Sequence, residues 1–226
     1  MIKIFCVRCG ACIESCRFDA IDSDFNVGPF SCEGCRVCGI VCPVSAITFT
    51  QRKAGEIYVS ETKYGPMVHA FLFPGEENSG KLVIMTRLFA SIVAQENKKS
   101  LVIIDGSPGI GCSLISSITK VNYALVVIEP TESGIHDLER LLELLKHFTI
   151  TPLVVINKYD INEENTQRTE KYCALNNILV LGKIPFDPIV TEAMVEGVPV
   201  VEYNRDSPVV AVIKDIFQKV TKILAT

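Results

Sequence analysis

No apolar run in this 226-residue chain approaches the ~20 residues needed to span a bilayer. The longest runs, such as ALVVI at 124–128, have the length of buried strands. Positive charge is also short. Lys and Arg number 22 against 26 Asp and Glu, a net charge of −4, so no basic face for nucleic acid is expected. No secretory leader precedes the cysteines, which argues against a disulfide-stapled secreted domain. No glycine-rich lysine loop ends in the Ser or Thr that a magnesium-holding phosphate loop needs. What the chain has is 48% hydrophobic residues, enough for the core of one medium domain and a smaller one.

Eight of the ten cysteines lie between residues 6 and 42, as two runs of C-x2-C-x2-C-x3-C. The first is Cys6, Cys9, Cys12 and Cys16; the second is Cys32, Cys35, Cys38 and Cys42, followed by Pro43. Thiolate is a soft ligand suited to iron–sulfur clusters, and in two-cluster ferredoxins the fourth cysteine of each run serves the other cluster. The spacing therefore predicts two [4Fe–4S] clusters, one on Cys6, Cys9, Cys12 and Cys42, the other on Cys16, Cys32, Cys35 and Cys38. A zinc site would show two CxxC pairs across a longer loop. Each run is followed by an Ala-Ile pair (20–21 and 46–47), an internal repeat whose small apolar side chains can cover a cluster. Thiolates of this kind point to the reducing cytoplasm. Arg17, where the second run has Pro43, reads as a solvated residue.

Residues 1–56 are expected to form the cysteine-rich domain, with strands near 2–5 and 46–51. Two strands around Gly65-Pro66 follow, with His69 packed between apolar neighbours, and then a loop opening an amphipathic helix. From 101 the chain alternates. Strands are predicted at 101–105, 123–129, 152–158 and 178–185, with helices near 112–119, 133–147, 163–175, 189–196 and 208–224. Ser133 is the expected cap of the second of these helices. Such alternation means a mostly parallel sheet with helices on both faces. Cys112 and Cys173 read as small packed residues, His136 and His147 as helix-surface groups, and 161–171 as a solvated helix face.

Four segments should fall at strand ends, where open parallel sheets bind ligands: 105–109 (DGSPG), 129–131 (EPT), 157–160 (NKYD) and 184–187 (IPFD). An aspartate ending an apolar strand suits magnesium or its water, and glycines after it let backbone N–H groups approach phosphate. An NKxD turn can read a purine through its amide and carboxylate. Residues 75–82 (GEENSGKL) nearly satisfy G-x4-G-K-[ST], but Leu82 has no hydroxyl and Glu76 and Glu77 would meet the phosphates. This segment reads as a helix-capping loop.

With these features in order, the chain resembles MinD/ParA-like P-loop ATPases that carry an inserted two-cluster ferredoxin domain. The resemblance rests on the doubled cysteine run, PGEENSGKLV (74–83), IDGSPGIGC (104–112), VIEPTESGIHDLER (127–140), VVINKYD (154–160) and GKIPFDPIVTEAM (182–194). It implies a P-loop NTPase-like α/β domain over 57–226, behind a small α+β ferredoxin-like domain over 1–56. It implies that Asp105 is the switch II aspartate near magnesium. Gly109, Asn157, Pro185 and Asp187 would belong to the nucleotide site, with Asn157 and the 185–187 loop around the adenine of ATP. Family members begin with a strand and a lysine-bearing Walker A loop, and no such segment occurs in these residues. A homodimer or another chain supplying that loop, a truncated reading frame, or a closed-up sheet would each account for this. The function expected is electron transfer through two clusters, to a redox partner protein, coupled to nucleotide binding. The alternatives are a plain ferredoxin-type carrier with an ATPase remnant, or a cluster scaffold.

Overall fold

The computed structural model describes residues 5–76 and 80–225. The strand expected at 2–5 falls almost wholly outside them, as does the middle of the 75–82 loop. The chain divides into two compact units, Met1–Ile104 and Asp105–Thr226.

In the first unit the cysteine repeat is visible in the backbone. Helix α1 (Ala11–Glu14) holds Cys12 and helix α2 (Val37–Val41) holds Cys38. Each is entered through a left-handed residue, Gly10 at φ 82° and Arg36 at φ 67°. The last cysteine of each run accepts a backbone N–H four residues on, Ala20 to Cys16 at 3.4 Å and Ala46 to Cys42 at 3.2 Å. Ala20 and Ala46 are both buried. Residues 46–51 form no strand. An antiparallel hairpin follows, β1 (Gly55–Thr62) and β2 (Gly65–Leu72), turning at Lys63-Tyr64, two residues before Pro66. His69 pairs with Tyr58 across it, stacks on that ring at 5.4 Å, and shares a 2.9 Å hydrogen bond with Ser60. Helix α3 (Lys81–Glu96) packs on β2.

The second unit is α/β. Its elements are α4 (Cys112–Ile118), β3 (Tyr123–Ile128), α5 (Glu132–His147), β4 (Thr151–Asn157), a 3-10 turn (Tyr159–Ile161), α6 (Glu163–Leu175), β5 (Leu179–Ile184), α7 (Ile189–Val195), α8 (Val200–Tyr203) and α9 (Pro208–Leu224). The strands form a parallel sheet in the order β3-β4-β5. Period-two alternation along β4 divides its side chains between two cores. Val154 and Ile156 join Val126, Ile128, Leu138, Leu142 and Leu145 under α4 and α5. Leu153 and Val155 join Leu181 and Ile216 under α9. Each fully buried Leu, Ile or Val contributes ~1.5–3 kcal/mol, so the two cores hold most of this unit's stability. Helix α9 comes so close to β5 that a Cβ on Gly182 would lie 2.7 Å from Ile216 Cγ1.

Two expectations fail here. Residues 101–105 form no strand, and Leu101, Val102 and Ile103 are exposed. No described strand hydrogen-bonds to them, and a strand without a neighbour leaves its backbone groups unpaired. The ferredoxin-like part of the fold is overturned as well. Residues 5–54 carry two short helices and the isolated bridge Ile21–Val27, and the described residues contain no group of three or more Cys, His, Asp or Glu that could hold a metal ion. The parallel sheet with helices on both faces stands.

Candidate functional site

The three parallel strands finish in line. Ile128 lies beside Ile156, and Asn157 beside Ile184. Glu129-Pro130, Lys158–Asp160 and Pro185–Asp187 therefore share one edge of the sheet, its carboxyl edge, which is where ligands bind in such folds.

These three turns are tied together through the corner between β4 and α6. Lys158 takes the left-handed conformation, φ 52°, and its Nζ reaches Glu129 Oε1 at 2.7 Å. Lys183 lies over the Tyr159 ring, 5.6 Å from its centroid. The Phe186 backbone N–H donates to Asp160 Oδ1 at 2.7 Å. Asn162 caps α6 by accepting the Asn165 N–H at 3.0 Å, and the buried Asn165 amide donates to Pro130 O at 3.3 Å. Thr166 Oγ1 donates to Tyr159 O at 2.8 Å. The start of α5 is capped by Thr131, not Ser133, through a 3.0 Å bond from Gly134 N–H. The turn is tight enough that a Cβ on Gly134 would fall 2.3 Å from Glu129 O. An exposed pair such as Lys158–Glu129 is worth at most ~1 kcal/mol. The buried Asn165 bond matters more, because Pro130 is fully buried and its carbonyl would otherwise be orphaned.

Among the predicted nucleotide residues, Asn157 ends β4 half-buried, and its side-chain amide has no hydrogen-bond partner among the described residues. Pro185 is half-buried beside it in the sheet order, one residue past the end of β5. Asp187 is occupied otherwise. Its Oδ1 accepts the Ile189 N–H, the first of α7, at 3.0 Å, and its Oδ2 accepts from Ser207 Oγ at 3.5 Å at the start of α9. Asp105 is exposed, and Gly109 is left-handed at φ 80° with open space where a Cβ would stand. Among the described residues no hydrogen bond or ion pair joins 105–110 to the three turns. The Ser107 hydroxyl between Asp105 and Gly109 is buried and unpartnered.

Sequence reasoning missed Asn165 and Thr166, hidden in a segment read as a solvated helix face. The signal was there: Asn165, Thr169 and Cys173 recur at four-residue spacing, and with Thr166 they form the buried side of α6. Cys173 is packed as expected, and its burial pushes the thiol pKa up; Cys112 is exposed, contrary to expectation. His136 and His147 lie on the exposed side of α5, and Arg17 is exposed over the Phe18 ring.

The structure places Cys6, Cys9, Cys12 and Cys42 around a small apolar cavity with Phe25, Val44 and Ile47. Burial raises the Cys12 thiol pKa, and the nearby Cys6 and Cys9 raise it further. Burial likewise raises that of Cys38, with Cys32, Cys35 and Cys16 adding to it. All ten cysteines are free, and no described group of three or more ligating side chains is disposed to hold a metal ion. On that finding the two [4Fe–4S] clusters are overturned. Electron transfer, the ferredoxin-carrier and scaffold alternatives, and the redox partner fall with them.

A parallel sheet flanked by helices makes this unit an α/β fold. The family model described as "ParA: NUBPL iron-transfer P-loop NTPase" matches residues 84–221, and the chain belongs to this ParA family. An uncharacterized protein of Methanocaldococcus jannaschii is 35% identical over 97% of this chain and 73% of its own length. Among solved structures, the MinD cell division protein of Aquifex aeolicus aligns at TM-score 0.56 with 19% identity, covering 73% of this chain and 68% of that one. The septum site-determining protein MinD of Pyrococcus horikoshii, complexed with Mg-ADP, aligns at 0.52 with 22% identity, over 64% and 58%. The chain thus spans less than two thirds of that last protein. The two MinD structures support the fold. The family model's match begins at residue 84 and does not reach the cysteine runs.

Proposed function

We propose that this chain binds an adenine nucleotide at the carboxyl edge of the β3–β4–β5 sheet, within a domain running from 57 to 226. The observation that carries the reading is Asn157: a half-buried amide without a protein partner, at the end of the middle strand, beside a loop held in place. A free amide offers a donor and an acceptor to the edge of a purine. Pro185, one residue past the neighbouring strand, supplies an apolar surface against the base. Asp187 acts from behind, fixing α7 and α9. Asp105 and Gly109 take the phosphate side: a carboxylate is the hard oxygen ligand magnesium prefers, and an open glycine lets backbone approach phosphate. The unpartnered Ser107 hydroxyl between them fits a polar ligand there. The family match, running from 84 to 221, covers the sheet and the residues named here. Magnesium would supply charge neutralisation of the phosphates. Ten free cysteines suit a cytoplasmic protein. No helix among the described residues is long and apolar enough to cross a membrane.

Calorimetric titration with Mg-ATP, Mg-ADP and Mg-GTP tests this. Adenine nucleotides are expected to bind with a Kd on the order of micromolar, and Asn157→Ala to weaken them roughly tenfold or more. Absence of binding up to millimolar nucleotide contradicts the reading.

A further inference from the structure

Asp160 closes the N-K-Y-D turn, where a carboxylate could be aimed at a base. The structure aims it elsewhere. Its Oδ1 accepts the Phe186 N–H at 2.7 Å, across 26 residues of sequence. This is a charge-assisted bond to the one loop, 185–187, that flanks the free Asn157 amide on the β5 side. The rest of the turn is committed in the same way: Lys158 to Glu129, and the Tyr159 carbonyl to Thr166. The Phe186 N–H has no strand to pair with, since β5 stops at Ile184. Without Asp160 that donor faces solvent and the loop has one fewer anchor.

We infer that Asp160 is a positioning residue, which holds the 185–187 loop at the base-binding edge and, being spent on Phe186, leaves purine identity to Asn157 alone. The inference rests on the nucleotide reading above and names what selects the base. A guanine edge presents two adjacent donors, an N–H and an amino group, which a carboxylate satisfies together. Here the carboxylate has one oxygen engaged and is held against the loop. An amide reads the donor–acceptor pair of adenine. The edge therefore favours adenine over guanine.

Asp160→Ala and Asp160→Asn separate the possibilities, because an Asn side-chain oxygen still accepts a hydrogen bond. Two readouts are needed on the full chain: amide hydrogen exchange at Phe186 without ligand, and titration with Mg-ATP and Mg-GTP. In Asp160→Ala, Phe186 exchange should quicken and Mg-ATP affinity should fall roughly tenfold, with thermal midpoint little changed. Asp160→Asn should retain most of both, and Mg-GTP should bind weakly in all three proteins. Unchanged Phe186 exchange in Asp160→Ala overturns the clamp. A wild-type preference for Mg-GTP, lost in both variants, overturns the selection by showing that the carboxylate reads the base. Faster Phe186 exchange in a chain whose wild type binds neither nucleotide keeps the clamp, but overturns the nucleotide reading and base selection with it.

Discussion

The cysteine segment and the carboxyl edge of the sheet carry signals of opposite kind. In the first, eight identical residues at repeated spacing make a local pattern of high specificity. The structure reproduces the repeat, down to matched N–H···S bonds at Cys16 and Cys42, yet leaves no described group able to hold a metal ion. In the second, every residue is ordinary alone. Asn157, Asp160, Asn165 and Phe186 become meaningful only because three strands end in line and one corner gathers their turns. A motif states which chemistry is available, whereas a site needs groups to converge with partners accounted for. The two regions also differ in what holds them: the sheet unit has two apolar cores, while the buried apolar residues of the cysteine region are few and mostly small, Cys12, Ala20, Ile21 and Ala46.

The largest effect should come from breaking that asymmetry in stability. Leu145, fully buried, should cost ~2–5 kcal/mol on truncation to Ala. Cys12→Ala should cost about 1 kcal/mol, since less apolar volume is removed. Urea unfolding midpoints compare them, and equal losses would erase the distinction. Next comes the buried polar tie. Asn165→Ala strands the Pro130 carbonyl and should cost ~1–3 kcal/mol, with faster amide exchange in the 129–131 turn. A variant as stable as wild type would remove α6 from the account of the edge. Smaller still is Thr131→Ala, which deletes the α5 cap and should cost about 1 kcal/mol by the same measurement.

A pH effect belongs to the cysteine region. Asp22 accepts the Asn26 N–H at 2.8 Å and the Asp24 N–H at 2.9 Å, and the Asn26 bond above all holds its carboxyl below the usual carboxylate range. A depressed folded-state pKa means the turn's stabilisation is present above the ordinary carboxylate pKa and is lost as pH falls through the depressed value. Carboxyl carbon NMR should show Asp22 titrating below a model aspartate, and Asp22→Asn should abolish the acid-linked loss of protection at Asn26, read as exchange relative to the intrinsic rate at each pH. Asp22 titrating at the ordinary position would contradict the two hydrogen bonds.

Much of the sheet unit was legible because its periodicities are long and clean. The predicted helices at 163–175 and 208–224 match α6 and α9, and three of the four predicted strands agree within a residue or two at each end. The strand expected at 101–105 was not realised, since an apolar run shows only that burial is wanted and cannot show that a neighbouring strand exists to pair with it. At the edge, residue types were legible and their partners were not. Asp187 reads as a ligand in sequence but is tied to Ser207 at the start of α9, and Asp160 reads as a base contact but holds Phe186. Both bonds span elements that only the fold brings together, Asp160 to Phe186 and Asp187 to Ser207. The cysteine pattern misled differently: its spacing does gather Cys6, Cys9, Cys12 and Cys42 around one small cavity, yet no described group of three or more ligating side chains is disposed to hold a metal ion.

The central claim is that nucleotide is held at the carboxyl edge of the sheet. Hydrogen–deuterium exchange with and without saturating Mg-ADP tests it most directly. Protection should appear at 157–160 and 185–187, with Phe186 among the strongest, and residues 6–42 should be unchanged. No protection at the edge, or protection confined to 6–42, would contradict it.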